Sequence, residues 1–236
     1  EWVRMETEYV TGLSRALGGG GDPGPVTALG TYSGICATVK KHLDKDSLTD
    51  LKIAIQGVGH VGYHLTKYLT EAGAKVLVSD LDQEALKLVV NDFGVKVVDI
   101  DKIYNADIDI YSPCAMGSTL NDETIPKLKC AIVAGSANNQ LRDEIKHSQM
   151  LKDRGILYAP DYAINSGGLI NCANEIQGYN RKRAFKQAEG IYDTLMAIYD
   201  RAELDNVTTH EAALKEAKKR IEDISKLKNI YLSKNN

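Results

Sequence analysis

The 236-residue sequence contains no apolar run approaching the ~20 residues needed to span a bilayer, and no secretory signal opens it. Neither a membrane protein nor an exported one is expected. Cysteine is sparse: Cys36, Cys114, Cys130 and Cys172 are widely scattered, with no CxxC pair. Such spacing does not support a disulfide scaffold and fits reduced thiols in a cytoplasmic protein. Charge of one sign is lacking too. With 29 Lys and Arg against 32 Asp and Glu, the net charge of −3 gives no general attraction to nucleic acid or anionic lipid. The main basic cluster, Lys215 to Arg220, is interleaved with Glu216 and Ala217 and reads as a solvated helix face.

Several catalytic patterns are also missing. There is no Gly-x-Ser-x-Gly elbow and no persuasive pair of carboxylates. His60 and His64 have the i, i+4 spacing of a helical metal pair, but no third ligand or Glu base accompanies them, so no metal is expected. Cys114 has no histidine beside it, and small thiols are commonly just buried.

What is present is a globular composition, 43% hydrophobic and 26% charged, long enough for a full core in one large domain or about one and a half ordinary ones. Residues 51–82 carry the strongest signal. An apolar strand, Ile53 to Ile55, runs into Gly57, Gly59 and Gly62, then an amphipathic helix, then a second strand ending at Asp80. Gly57 permits a tight turn, Gly59 lets backbone approach a pyrophosphate, and Gly62 lets helix and strand pack closely. Helix N-termini favour phosphate, because unpaired N–H groups and the dipole meet there. Asp80, 23 positions after Gly57, can accept both ribose hydroxyls of adenosine and would repel a 2′-phosphate. No Arg or Lys follows it until Lys87, so the pattern points to NAD. S-adenosylmethionine sites share the glycine turn and the acidic strand end, which leaves a methyltransferase open at this stage.

Further strands are predicted at Val95–Val98, Ile108–Tyr111, Ala131–Ala134 and Ile156–Ala159, with helices near Gln83–Phe93, Ile125–Lys129 and Asp143–Asp153. This alternation implies an α/β fold, a doubly wound Rossmann-type parallel sheet followed by C-terminal helices. Gly18–Gly21, with Pro23 and Pro25, reads as a flexible linker or loop. The predicted organisation is a linker over 1–22, an NAD-binding domain over 23–182 and C-terminal helices over 183–236. Ligands of such sheets lie beyond the carboxyl ends of the strands. The loops to watch are therefore Gln56–Gly62, Ser112–Ala115, Gly135–Gln140 and Asp161–Gly168, together with Asp80. Asn side chains there can bond an amide or a carboxylate, and the paired Gly167 and Gly168 let backbone approach a flat ring.

Six segments in one order carry a family resemblance: Tyr9-Val10-Thr11-Gly12-Leu13, Pro25-Val26-Thr27-Ala28, GVGHVG (57–62), SPCAMG (112–117), GSANNQL (135–141) and APDYAINSGGLINCANE (159–175). In this order the sequence resembles the Glu/Leu/Phe/Val dehydrogenases, and most of all their leucine-acting members. The resemblance implies NAD-dependent oxidative deamination of a branched-chain L-amino acid (leucine or valine) to its 2-oxo acid, in a homo-oligomer. It further implies that Gly57, Val58, Gly59, His60, Val61, Gly62 and Tyr63 hold the pyrophosphate and Asp80 the ribose. Thr27, Asn139 and Asn165 would orient nicotinamide and the substrate carboxylate, and Ala115 and Met116 would line the cofactor groove. Leu169 and Cys172 match substrate-pocket positions. Relatives preferring leucine carry smaller β-branched residues there, and Leu at 169 occurs in those preferring phenylalanine, so phenylalanine is the alternative substrate.

The family's catalytic lysine lies in a Gly-rich motif of an N-terminal domain, and no Gly-Gly-x-Lys occurs in these 236 residues. The chain is therefore expected to be the cofactor half, with no catalytic residue of its own and a missing N-terminal domain as partner. A non-catalytic NAD-binding module is the alternative from another class. Two final helices, about Arg183–Arg201 and His210–Lys226, carry apolar stripes at helical spacing (Ile191, Leu195, Ile198; Ala213, Leu214, Ala217, Ile221, Ile224). Both stripes are expected to be partly exposed, or paired with another copy.

Overall fold

A computed structural model describes residues 2–232, with side chains through 226. Six parallel strands form its sheet: β1 (Lys52–Gln56), β2 (Lys75–Ser79), β3 (Lys96–Val97), β4 (Ile110–Pro113), β5 (Ile132–Val133) and β6 (Leu157–Tyr158). Their order is β3-β2-β1-β4-β5-β6. The sheet thus grows outward both ways from β1, and the reversal between β1 and β4 opens a crevice at the strands' carboxyl ends. All six predicted strands form, but the later ones are trimmed or shifted. β4 starts two residues later than expected because its register pairs Ile53 with Ile110. β3, β5 and β6 keep only two residues each in the ladder.

Strand alternation divides the core between the two faces. Ile53 and Ile55 join one cluster with Ile35, Leu65, Leu69 and Leu195, whereas Ala54 joins a second with Tyr111, Val133 and Leu151. Helices fill the crossovers. The sheet's first half carries α3 (His60–Glu71) and α4 (Gln83–Phe93), and α5 (Glu144–Asp153) links β5 to β6. α4 matches its predicted bounds for a local reason. The Asp82 carboxylate accepts the N–H groups of Glu84 and Ala85, and Gly94 closes the helix in the left-handed region at φ 66°. Ile125–Lys127 is a short 3-10 turn instead of the expected helix.

A short α1 (Trp2–Glu6) precedes the element that the sequence hid, the 20-residue α2 (Gly24–Leu43). Gly30 and Gly34 in α2 are packing contacts. A Cβ at Gly30 would lie 2.5 Å from Ile191 Cδ1, and one at Gly34 would lie 2.5 Å from Ile164 Cγ1. Thr38 Oγ1 and the Tyr199 hydroxyl, both fully buried, share a 2.7 Å hydrogen bond.

The segment expected to be a flexible linker or loop is a loop with fixed internal bonds. Residues 15–17 form a 3-10 turn, Gly21 N–H donates to Leu13 O, and Gly19 and Gly20 are buried. Asp161–Gly168, expected as a loop, contains α6 (Asp161–Ile164) and the start of α7 (Gly167–Ala173). The single helix expected over Arg183–Arg201 is two, α8 (Arg181–Glu189) and α9 (Ile191–Asp205), joined at Gly190; the chain then enters α10 (Thr209–Leu232). The stripe of α9 is not exposed, since Ile191, Leu195 and Ile198 are at most 4% accessible and share the sheet's core. In α10, Ala212 and Ala213 are buried, but Leu214, Ile221 and Ile224 are exposed as expected. Among the described residues no helix is long and apolar enough to cross a membrane.

Candidate functional site at the strand ends

The turn after β1 is built as its glycines require. Gly57 sits at φ 101° and donates its N–H to Ser79 O at 2.7 Å, and a Cβ there would strike Ala115. At Gly62 an added Cβ would lie 2.0 Å from Gly57 O, so its bareness lets α3 seat on the turn. At Gly59 a Cβ would meet nothing within 4 Å. That position faces open space, and no side chain caps the N-terminus of α3 that begins beside it. Its first amides are left for a ligand or water.

Asp80 faces this turn. One carboxylate oxygen accepts the Val58 N–H at 2.7 Å and the other accepts the Asp82 N–H at 2.9 Å. It therefore both starts the turn after β2 and presents negative charge beside the open glycine. The next basic residue, Lys87, is occupied by Glu84 at 2.8 Å. His60 is exposed, with Nδ1 3.6 Å from Asp22 Oδ2.

The strand-end loops of β4 and β5 brace each other. Ser118 and Asn139 both adopt positive φ, 60° and 51°, and the Ser118 N–H donates to Asn139 O at 2.7 Å. Gly117 permits the approach, because a Cβ there would lie 2.6 Å from Asn138 O. Across the cleft, Asn165 Nδ2 donates to Asn138 Oδ1 at 2.5 Å. A cleft of about 640 Å³ opens here, and its lining includes Thr27, Val61, Asn139, Asn165, Gly168 and Leu169. The structure thus gathers five of the residues expected from the sequence: Thr27, Asn139, Asn165, Leu169 and, from the phosphate turn, Val61. Ala115 packs against Gly57, and Met116, next to it, is exposed. Cys172 lies one turn beyond Leu169 on α7, outside the lining of this cleft.

Two details depart from the sequence reading. Gly167 does not offer its backbone to a flat ring: a Cβ there would lie 2.6 Å from Val26 O, so the residue packs α7 onto α2. The hydroxyl of Thr27 donates to Pro23 O, leaving only its lone pairs for the cleft.

Sequence reasoning passed over Glu144 and, although it marked the Asp161–Gly168 segment, gave no role to Asp161 or Tyr162; all three line the same cleft. Asp161 accepts the Gln140 N–H and the Tyr162 N–H, tying the β5 and β6 loops together. Burial, and then the charge of Asp161, push the Tyr162 phenol far above its ordinary range. The acidic position within Ala-Pro-Asp-Tyr, directly after a strand, was the available signal. Cys114 is a poor nucleophile here, since burial raises its thiol pKa. A second cleft, about 390 Å³, is lined by Lys41, His42 and Tyr199 at the far end of α2. The length of that helix places it roughly 25–30 Å from the glycine turn.

A family model described as Glutamate/Leucine/Phenylalanine/Valine dehydrogenase matches residues 79–233. The leucine dehydrogenase of Thermoactinomyces intermedius is 49% identical over 230 residues, 98% of this chain and 63% of that protein. The phenylalanine dehydrogenase of Bacillus thermotolerans is 42% identical over 231 residues, 96% of this chain and 60% of that protein. The crystal structure of L-tryptophan dehydrogenase from Nostoc punctiforme superposes with a TM-score of 0.85 at 47% identity, covering 87% of this chain and 63% of that one. This chain therefore spans about 63% of the length of the leucine dehydrogenase it matches. Sequence, fold and glycine turn agree: the chain belongs to the Glu/Leu/Phe/Val dehydrogenase family.

Proposed function

We propose that this chain binds NAD and supplies the cofactor half of an amino-acid dehydrogenase that oxidatively deaminates a branched-chain L-amino acid, leucine or valine, to its 2-oxo acid. The observation that carries this is the pairing of an open Gly59 with the Asp80 carboxylate held on Val58 N–H. A pyrophosphate needs the space, and an adenosine ribose needs the acceptor. The Lys87–Glu84 pair leaves no free cation just after Asp80 for a 2′-phosphate, which supports NAD over its phosphorylated form.

When bound, NAD supplies the hydride acceptor. The chain's own residues bind and orient. The turn from Gly57 to Tyr63 holds phosphate, and Asp80 accepts ribose hydroxyls. Ala115 and Met116 line the groove, while Thr27, Asn139 and Asn165 orient the ring and the substrate carboxylate. Asn165 suits this because its amide already bonds Asn138 across the cleft, fixing its direction. Leu169 forms the wall that meets the substrate side chain, and Cys172, one turn further along α7, extends that wall beyond the cleft lining. The exposed stripe of α10 supports a homo-oligomer.

No lysine is among the residues lining the cleft. The deamination needs a base to activate water, and the neighbours that could serve here are carboxylates engaged by backbone amides or exposed at the rim. The 236-residue chain by itself is therefore proposed to bind NADH without turning over amino acid. Relatives of similar identity are named for leucine, phenylalanine and tryptophan. A methylene in an apolar pocket changes selectivity by only ~1–3 kcal/mol, so phenylalanine stays the alternative substrate. The lack of a lysine in the cleft also favours a second reading, a non-catalytic NAD-binding module. NADH titration followed by fluorescence tests the binding. Activity after adding a family amino-terminal half, measured over a panel of amino acids, separates the enzyme from the module and ranks the substrates.

A further inference from the structure

Glu175 lies in the 3-10 turn Asn174–Gln177 that continues α7, one turn beyond Cys172. Its carboxylate reaches a segment more than 150 residues away in sequence. Oε2 accepts the N–H groups of Gly12 at 2.9 Å and Leu13 at 3.2 Å, and Oε1 accepts the Gly20 N–H at 2.7 Å. The loop is shaped to converge these amides. Gly12, Gly18 and Gly21 adopt positive φ, and Leu13 O, which accepts the Gly21 N–H, leaves no room for a Cβ at Gly19. The docking is steric as well as electrostatic. A Cβ at Gly20 would lie 2.4 Å from Asn171 Nδ2 and 2.8 Å from Tyr179 Cε2. Asn171, itself 1% accessible, in turn accepts the Tyr179 hydroxyl at 2.8 Å.

We propose that Glu175 is a positioning residue: by clasping the 12–20 loop it makes that loop and the α7 wall of the cleft one rigid body, so residues ahead of Gly12 are held in a fixed direction relative to Leu169 and Cys172. Three amides on one carboxylate are charge-assisted bonds, stronger than neutral ones. The dehydrogenase function enters only in making that wall the substrate side; the clasp itself does not depend on it.

The test is amide NMR on the 236-residue chain, comparing wild type with Glu175→Gln and Gly20→Ala. In wild type the Gly12, Leu13 and Gly20 protons should resonate downfield and exchange slowly. Glu175→Gln, which replaces an acceptor oxygen by a donor, should move them upfield and speed their exchange about tenfold or more, the loss expected of bonds to a charged acceptor. Trypsin cleavage after Arg15 should accelerate by a similar factor, while Ile55 and Val78 amides keep their protection. Gly20→Ala should do the same with the carboxylate intact, and serves alone if Glu175→Gln fails to fold. NADH affinity should stay within twofold in both variants. Unchanged shifts and exchange at the three amides in a folded variant would overturn the clasp. Wild type that shows the protected amides yet does not bind NADH would instead refute the dehydrogenase function and leave the clasp standing.

Discussion

The backbone N–H of Val58 donates to Asp80 Oδ2 at 2.7 Å, joining the turn that ends β1 to the carboxylate that ends β2. Acidic charge is thereby fixed at the lip of an open glycine turn, with the second oxygen steadied by Asp82. That arrangement suits a ribose flanking a diphosphate, and it fixes what substitution at Asp80 should do.

Asp80→Asn should weaken NADH binding by about tenfold to a hundredfold, because hydrogen bonds to a charged group contribute about 1.5–3 kcal/mol. Binding of the 2′-phosphorylated cofactor should suffer far less, since a repulsion is removed along with the bonds. Parallel fluorescence titrations with NADH and NADPH read the ratio. An unchanged preference in the variant would speak against a ribose role.

Two glycines of one turn should respond oppositely to alanine. Gly62→Ala places a methyl 2.0 Å from Gly57 O, so α3 must shift and the melting temperature should fall by several degrees or more. Gly59→Ala meets nothing within 4 Å, so the fold should persist while NADH affinity drops, the methyl occupying the space meant for phosphate. Thermal melts paired with titrations distinguish the two effects. A Gly59→Ala protein binding NADH normally would mean that the open space is not the phosphate site.

The turn glycines Gly59 and Gly62 could be read in advance, whereas the helix-packing Gly30, Gly34 and Gly167 could not. β1, α3 and Asp80 were legible because alternation, spacing and turn chemistry are local. Their ends in space followed from the switch-point rule. α2 was not legible, although it packs against α3, α7, α8 and α9. It is buried on several sides, so it has no amphipathic stripe, and Gly30 and Gly34 lower its helix propensity where neighbours need the room. The same ambiguity misassigned Gly167, which looked like a ligand glycine and is a helix-packing one. The amide clasp of Glu175 joins residues too far apart in the chain for any local pattern to reveal it.

The Thr38–Tyr199 pair ties α2 to α9 through a fully buried bond, and its members should couple. Thr38 donates its hydroxyl proton to Gly34 O, so Tyr199 is the donor in the shared bond. Thr38→Val leaves the Tyr199 hydroxyl unpartnered and should cost about 1–3 kcal/mol, Tyr199→Phe leaves Thr38 bonded and should cost less, and the double variant should cost less than the sum. Urea unfolding of the four proteins measures the coupling energy. Simple additivity would show that the bond contributes nothing beyond packing.

Alkali should destabilise the fold, because buried groups hold their protons above the pH at which the unfolded chain releases them. Burial pushes the Cys130 thiol from its ordinary 9.0 up to about 11, and the Tyr32 phenol from 10.0 up to about 12. An unfolded chain releases these protons at the lower values, so over the intervening range the native state binds the extra protons. Stability is then complete below about pH 9 and declines as pH rises toward 11, by about 1.4 kcal/mol per pH unit for each fully shifted group. Burial raises Cys36 and Cys114 in the same direction, and buried tyrosines such as Tyr199 add to the loss above pH 10, so Cys130 carries one share of the decline. Cys130→Ser or Cys130→Ala should flatten the decline in a denaturation series from pH 8 to 11. An unaltered slope would place the loss elsewhere.

The most direct measurement is titration of the 236-residue chain with NADH, followed by fluorescence and repeated with S-adenosylmethionine as competitor. Saturable NADH binding that Asp80→Asn weakens and S-adenosylmethionine does not displace is the predicted result. No saturable binding by the folded chain, or equal binding with the Asp80 carboxylate removed, would contradict it.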